Sequence, residues 1–162
     1  MGVLVWQEAM FACALYPYHD EFLTSVRREI AEQVWRLGSH PSVAMWCGNN
    51  EIEANNVKPA DRATYSLLNY DTVMATFLAA DTTRPLWPSS PSNGFKTLHP
   101  PTAAWGNAQA WDQGDVHHYI YTGDCTDPAQ FPNARFVSEY GWFVCFGLVW
   151  LGWFFCFSRI IM

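Results

Sequence analysis

An α/β fold built on a parallel sheet is what this 162-residue chain predicts, and three observations carry the prediction. Half of the chain is apolar, 15% is charged and 17% is aromatic, which supplies a sizeable core and excludes a disordered chain. Short apolar runs of strand length alternate with amphipathic helical stretches, the pattern of strands buried on both faces. Polar residues collect where those runs end: Gln7 and Glu8, Asn50 and Glu51, His117 and Tyr119, Glu139 and Tyr140. A doubly wound sheet and a β/α barrel both fit, and barrel enzymes carry their catalytic groups at such strand ends.

The first strand is read over 3–8, an apolar run that stops at Gln7-Glu8. A helix follows over 20–37, because Phe22, Val26, Ile30, Val34 and Leu37 recur every three or four residues. Asp20 is expected to cap its start, and Gly38 to end it in a left-handed conformation. Residues 42–47 form the next strand, which runs into Gly48-Asn49-Asn50-Glu51. A second helix is expected over 69–80, with Tyr70, Val73, Phe77 and Ala80 on one side. A short strand begins at Leu86 and leads into a loop rich in Pro, Ser and Gly. Two more strands are read over 115–119 and 135–139.

Other function classes lose support at this level. The formal charge of −6 and the lack of a basic stripe disfavour nucleic acid as a partner. No Gly-x-Gly-x-x-Gly follows a strand, which weakens dinucleotide binding. Cys13, Cys47, Cys125, Cys145 and Cys156 form no CxxC pair or ligand set, so they read as buried or free thiols. His117 and His118 stand together without a third ligand at helical spacing, so no metal site is assigned. The start of the chain lacks the basic flank of a signal peptide, and its opening directly into a strand suggests upstream material.

The last segment is of another kind. From Trp142 to Met162, 8 of 21 residues are aromatic and Arg159 is the only charge. The uncharged run is at the short limit for a membrane span, with Trp scattered through it instead of at its ends.

Two carboxylates stand out, Glu51 and Glu139, each at the end of an apolar run beside groups that could orient it. A carboxylate pair in a cleft lined by Trp, Tyr and His suits glycoside hydrolysis. One carboxyl protonates the leaving oxygen, the other attacks the anomeric carbon, and the rings pack on sugar faces. A glutamate at a strand end is also an ordinary solvated residue, and each Trp fits a core equally well. The residue pattern leaves both readings open.

Five blocks in order resemble the β-mannosidases of glycoside hydrolase family 2. They are Gly2 to Pro17, His40 to Glu51, Thr83 to Ser92, Gly114 to Tyr119, and Arg135 to Trp142. Asn49-Asn50-Glu51 is the β-mannosidase form of that family's acid/base motif. The resemblance implies an incomplete TIM (β/α)8 barrel, about strands 3 to 7, over residues 1–142, with an aberrant apolar tail over 143–162. It implies Glu51 as general acid/base, Glu139 as nucleophile, and Asn50 on the sugar 2-hydroxyl. Tyr119 would bond the nucleophile, and Trp6, His117 and Trp142 would line the sugar pocket. The implied reaction is retaining hydrolysis of terminal, non-reducing β-D-mannose, with a β-mannoside oligosaccharide or glycoprotein glycan as partner and no metal or organic cofactor. A lysosomal or secreted location is expected of the full-length family protein.

A complete barrel of this type takes about 250 residues, so eight strand–helix units cannot be present. The tail departs from the family after Trp142, and a truncated or mis-spliced product is the expected cause. A membrane anchor in 143–162 and a divergent core segment are the other readings. An incomplete sheet leaves bare edges, so the isolated chain is expected to be unstable and nearly inactive. Carbohydrate binding without turnover is the alternative function.

Overall fold

The structure is a computed structural model that describes residues 2–55, 59–94, 111–112, 114–124 and 126–142. The expected break after Trp142 and the tail at 143–162 lie outside the described residues.

Among the described residues five strands form, all paired in parallel, with the helices between β1, β2 and β3 as crossovers. They are β1 (Val5–Glu8), β2 (Val43–Cys47), β3 (Leu86–Trp87), β4 (Val116–Ile120) and β5 (Val137–Trp142). They do not make one open sheet. β1, β2 and β3 pair in that order, and β4 pairs with β5 in a second ladder. The architecture is a set of partial parallel sheets that do not close into a barrel. Beyond β2, Asn50 extends the first ladder by bridging Ala12 on one side and Ser90 on the other.

The ladder breaks between β3 and β4 because side chains take over from backbone there. Asp115, fully buried just before β4, accepts from the Ser92 amide at 2.9 Å and from Trp87 Nε1 at 2.8 Å. Among the described residues one backbone bond crosses the seam, Asp115 N to Ser92 O at 3.3 Å.

Helix α1 spans Asp20–Leu37, as its periodicity predicts, and buries Leu23, Val26, Ile30 and Val34. Phe22 and Leu37, read from the sequence as members of that stripe, lie at its half-buried margins. Two details of its ends differ from expectation. The capping residue is His19, whose Nδ1 accepts from the Phe22 amide at 3.4 Å, while Asp20 is the first helical residue. Gly38 is right-handed (φ −62°), so its need is space: a Cβ there would lie 2.6 Å from the Val34 carbonyl oxygen.

After α2 (Ile52–Asn55), one helical rod runs from α3 (Arg62–Leu68) through a π-helical stretch (Asn69–Met74) to α4 (Ala75–Ala80). It starts earlier than the predicted 69. The buried residues Tyr65 and Leu68 belong to the same face as Val73 and Phe77, but across the wide π turn Val73 follows Leu68 at an interval of five. That interval breaks the three-and-four rhythm by which a helix is read.

The core lies between this rod, α1 and β2. Trp46, 1% exposed, stacks on Phe77 with ring centroids 5.5 Å apart, and its Nε1 donates to Asp81 Oδ2 at 2.9 Å. Arg84 ties three elements to that point. It donates to the Asp81 carboxylate at 2.7 Å, the Val43 carbonyl at 2.8 Å and the Gly38 carbonyl at 2.7 Å. Burial opposes ionisation of Asp81, yet donors on Thr83, Trp46 and Arg84 hold its carboxyl well below the usual range. Among the described residues no helix is long and apolar enough to cross a membrane.

Candidate active site

Neither singled-out carboxylate is the last residue of a strand. β2 stops at Cys47, and Glu51 lies beyond it in a turn with left-handed backbone (φ 58°). Its amide donates to the Ser90 carbonyl at 2.6 Å, which ties the turn to the chain after β3. Behind it, fully buried Asn49 sets the turn's shape. Its Nδ2 donates to Tyr65 Oη and Asn69 Oδ1, both at 3.1 Å, and its Oδ1 accepts from Ser89 Oγ at 2.6 Å. Asn49 is therefore spent on architecture. Asn50, half-buried, lies beside the carboxylate, with Nδ2 3.7 Å from Cys13 Sγ.

Glu139 lies inside β5, paired in register with His117 on β4. Neighbours in register project to the same face of a parallel ladder, which places His117 and Glu139 side by side. Tyr119, two residues on, faces the same way, and its hydroxyl donates to Glu139 Oε1. Gly141 stands opposite Tyr119, where a Cβ would come within 2.8 Å of the ring. A larger residue there would push the phenol off its line to the carboxylate.

The two carboxylates meet at His117. Its Nδ1 is 2.7 Å from Glu51 Oε1 and 3.5 Å from Glu139 Oε2. One ligand atom from each of the three residues lies within 4.8 Å of the others. Such a spacing is also one a metal ion could bridge. The sequence offered His117 no third partner, because both partners come from other elements. His118 faces away and packs its ring against Phe131 at 5.9 Å.

On the other side of the imidazole, Nε2 is 2.9 Å from Ser90 Oγ. Ser90 and Ser138 each donate to Asp115 Oδ2 at 2.6 Å. Burial pushes the Glu139 carboxyl up, His117 opposes that, and the nearby Glu51 adds to it.

A cleft of about 370 Å³ opens beside Glu139, lined by Trp6, Glu8, Ser90, Phe136 and Ser138 among others. Trp6 stacks flat on Phe136 at 5.6 Å and meets Trp87 edge-on at the same distance. Burial raises the Glu8 carboxyl, against a hydrogen bond from Cys47 and the attraction of His117. The Trp142 side chain lies outside what the structure describes; only its register opposite Ile120 is given.

Of the expected site residues, Glu51, Asn50, His117, Tyr119 and Glu139 come together around one point, and Trp6 lines the cleft next to it. Sequence reasoning missed Ser90, Asp115, Ser138 and Cys13. Cys13, also left-handed (φ 51°) and exposed, holds its thiol 3.3 Å from Glu51 Oε2. The available signals were a serine cluster directly after a short strand and an aspartate directly before the next.

No protein-family model matches the chain. Curated relatives do: it is 44% identical over 155 residues to the β-mannosidase of Bos taurus and 45% identical over 154 residues to that of Rattus norvegicus. Each match covers 88% of this chain and 17% of the relative. Among solved structures, the β-D-mannosidase of Dictyoglomus thermophilum superposes with a TM-score of 0.60 at 28% identity. That match covers 85% of this chain and 16% of the other. The chain is thus homologous in sequence and structure to glycoside hydrolase family 2 β-mannosidases, over a small part of their length.

Proposed function

From that homology as premise, we propose that this chain supplies the retaining carboxylate pair of a β-mannosidase-type exo-glycosidase, with Glu51 as general acid/base and Glu139 as nucleophile. The observation that supports it most is the approach of the two carboxylates to a shared imidazole nitrogen, with all three ligand atoms inside 4.8 Å. Retaining enzymes keep their carboxyls about 5 to 5.5 Å apart, close enough for one to attack the anomeric carbon that the other helps to free.

The surroundings suit two different roles. Tyr119 gives Glu139 a hydroxyl donor, which favours its charged, nucleophilic form. Glu51 has His117 on one oxygen and the Cys13 thiol on the other. In the first step a Glu139 oxygen bonds to the anomeric carbon as the glycosidic bond breaks, and the proton on Glu51 passes to the leaving oxygen. In the second, Glu51 takes a proton from water while the water oxygen displaces Glu139.

Terminal, non-reducing β-D-mannose is the proposed sugar, with Asn50 on its 2-hydroxyl and Trp6, His117 and Trp142 around it. Residues 1–142 are assigned to the barrel portion and 143–162 to a segment outside it. The relatives are about six times longer than the matched region, so steady turnover by this chain alone is expected to be very low.

An activated 2-deoxy-2-fluoro-β-mannoside tests the assignment, because the fluorine slows release of the sugar from the nucleophile. Peptide mass spectrometry should find one sugar on Glu139 and none in Glu139→Gln. Labelling at another carboxylate, with Glu139 bare, would sink the proposal. Fast turnover of a chromogenic β-mannoside that vanishes in Glu139→Gln would keep the pair and overturn the low activity.

A further inference from the structure

We propose that Ser90, Asp115 and Ser138 are positioning residues that fix the proton on Nε2 of His117, and so force a second proton to lie between His117 Nδ1 and Glu51. The use of that proton as the glycosidase acid rests on the reading of Glu51 above; its location does not.

Asp115 is fully buried and its two oxygens receive four donors. Trp87 Nε1 and the Ser92 amide reach Oδ1 at 2.8 and 2.9 Å, and the Ser90 and Ser138 hydroxyls reach Oδ2, both at 2.6 Å. Four donors fill the acceptor capacity of an ionised carboxylate. A serine hydroxyl has one hydrogen, and of the two acceptors in reach of Ser90 the Asp115 carboxylate at 2.6 Å takes it over Ser138 Oγ at 3.2 Å. Toward His117, Ser90 can then only accept, so the 2.9 Å contact requires Nε2–H.

A neutral imidazole protonated at Nε2 is bare at Nδ1. Here Nδ1 is 2.7 Å from Glu51 Oε1, and two bare acceptors do not stay at that distance. One more proton must occupy the contact, as an imidazolium beside a carboxylate or as a carboxylic acid donating to a neutral ring. Other charged or titratable groups around the ring do not take that role. Glu139 is 3.5 Å from Nδ1, too far for a good hydrogen bond, and its other oxygen already accepts from Tyr119. Glu8, on β1, acts on His117 through charge alone.

The relay thus makes two similar carboxylates unequal. Glu51 shares a proton with His117, as a resting general acid requires. Glu139 is left with a phenol donor, as a nucleophile requires. Within the glycosidase reading above, hydrogen-bond direction in this chain matches Glu51 to the acid role and Glu139 to the nucleophile role.

Nitrogen NMR of the full chain labelled with 15N-histidine reads the proton directly, with His117 identified by the signals lost in His117→Gln. The expected result is a protonated Nε2. In Ser90→Ala the His117 signals should shift toward exchange between tautomers, and in Ser90→Thr, which keeps the hydroxyl, they should stay near the parent. In Glu51→Gln, Nδ1 should move to the bare range with Nε2 still protonated. A bare Nε2 in the parent chain overturns the proposal, as does an unchanged His117 spectrum in Ser90→Ala. The other four histidines report folding in each sample. If Ser90→Ala unfolds, the parent and Ser90→Thr spectra decide by the state of Nε2. If the parent itself gives only random-coil histidines, the geometry and the relay fall together. Absence of sugar labelling on Glu139 with Nε2 protonated sinks the glycosidase reading alone; a bare Nε2 with labelling intact sinks the relay alone.

Discussion

Around Trp46 the chain is held by shape, and across the seam between β3 and β4 it is held by direction. In the first region α1, β2 and the rod from Arg62 to Ala80 bury Leu23, Val26, Ile30, Val73 and Phe77 in one apolar cluster. Such contacts are many, individually weak and tolerant of small shifts. In the second region a handful of polar atoms carry the join through short, directional hydrogen bonds that converge on Asp115. Asp115, Ser90, Ser138 and His117 are joined there by hydrogen bonds, each with a fixed donor and acceptor in the proposed relay. A core can surround a site, but only directional bonds can tell two carboxylates apart, and the site lies on the directional side.

The largest effect is expected from the apolar side. Trp46→Ala removes the largest of the fully buried side chains, its stack on Phe77 and its bond to Asp81, and should cost about 4 kcal/mol in urea unfolding. If the cost were under about 1 kcal/mol, the region could not be the core described here.

Glu53 sharpens the comparison, because it is a carboxyl within the apolar half. It is 3% exposed, its Oε2 accepts from Tyr65 and Tyr70 at 3.4 and 3.3 Å, and burial raises its pKa from 4.5 to about 7. Between those values the folded chain binds a proton that the unfolded chain has released. Stability should therefore be highest at the acid end of this window and fall by about 3 kcal/mol as pH rises through it. The decline should be absent from Glu53→Gln, measured as the difference between the two chains from pH 4 to 8. Parallel curves would break the account.

Asp115→Asn probes the seam. An amide offers one acceptor oxygen where four donors converge, so about 2 kcal/mol should be lost. The same substitution should change the fluorescence of Trp87, which donates to that carboxylate, more than that of Trp46. Equal response of the two would mean that the seam and the core unfold as one unit.

The smallest effect concerns Cys13. Some desolvation and the neighbouring Glu51 raise its thiol above the ordinary range, so it should react slowly with iodoacetamide at pH 8 despite its exposure. Glu51→Gln should speed that reaction several-fold by peptide mapping, while buried Cys47 stays inert in both. An unchanged rate would place Glu51 away from the thiol.

Much of this layout was legible beforehand, and the limits have physical causes. The stripe of Val26, Ile30 and Val34 announces α1 because helix period and burial coincide there. The rod's first half was hidden since a π turn shifts the stripe between Leu68 and Val73. Glu51 and Glu139 could be picked out as polar residues following apolar runs, and their blocks resemble a known family. Asp115, Ser90 and Ser138 carry no local signal. Their meaning lies in partners 23 to 48 residues away, and a buried polar residue looks like a loop residue until those partners are seen. Asn49 shows the converse, since its neighbour Asn50 has the same side chain and a different task.

The left-handed backbone at Glu51 has an evolutionary consequence. A side chain with a Cβ is held there at a cost of about 1 kcal/mol, which glycine avoids and asparagine tolerates better. A lineage released from selection for chemistry would gain stability by losing this carboxyl, and drift would favour Gly or Asn at 51. Decay at this position is downhill in stability, so under the proposed role the carboxylate is held at a conformational cost that only its chemistry offsets.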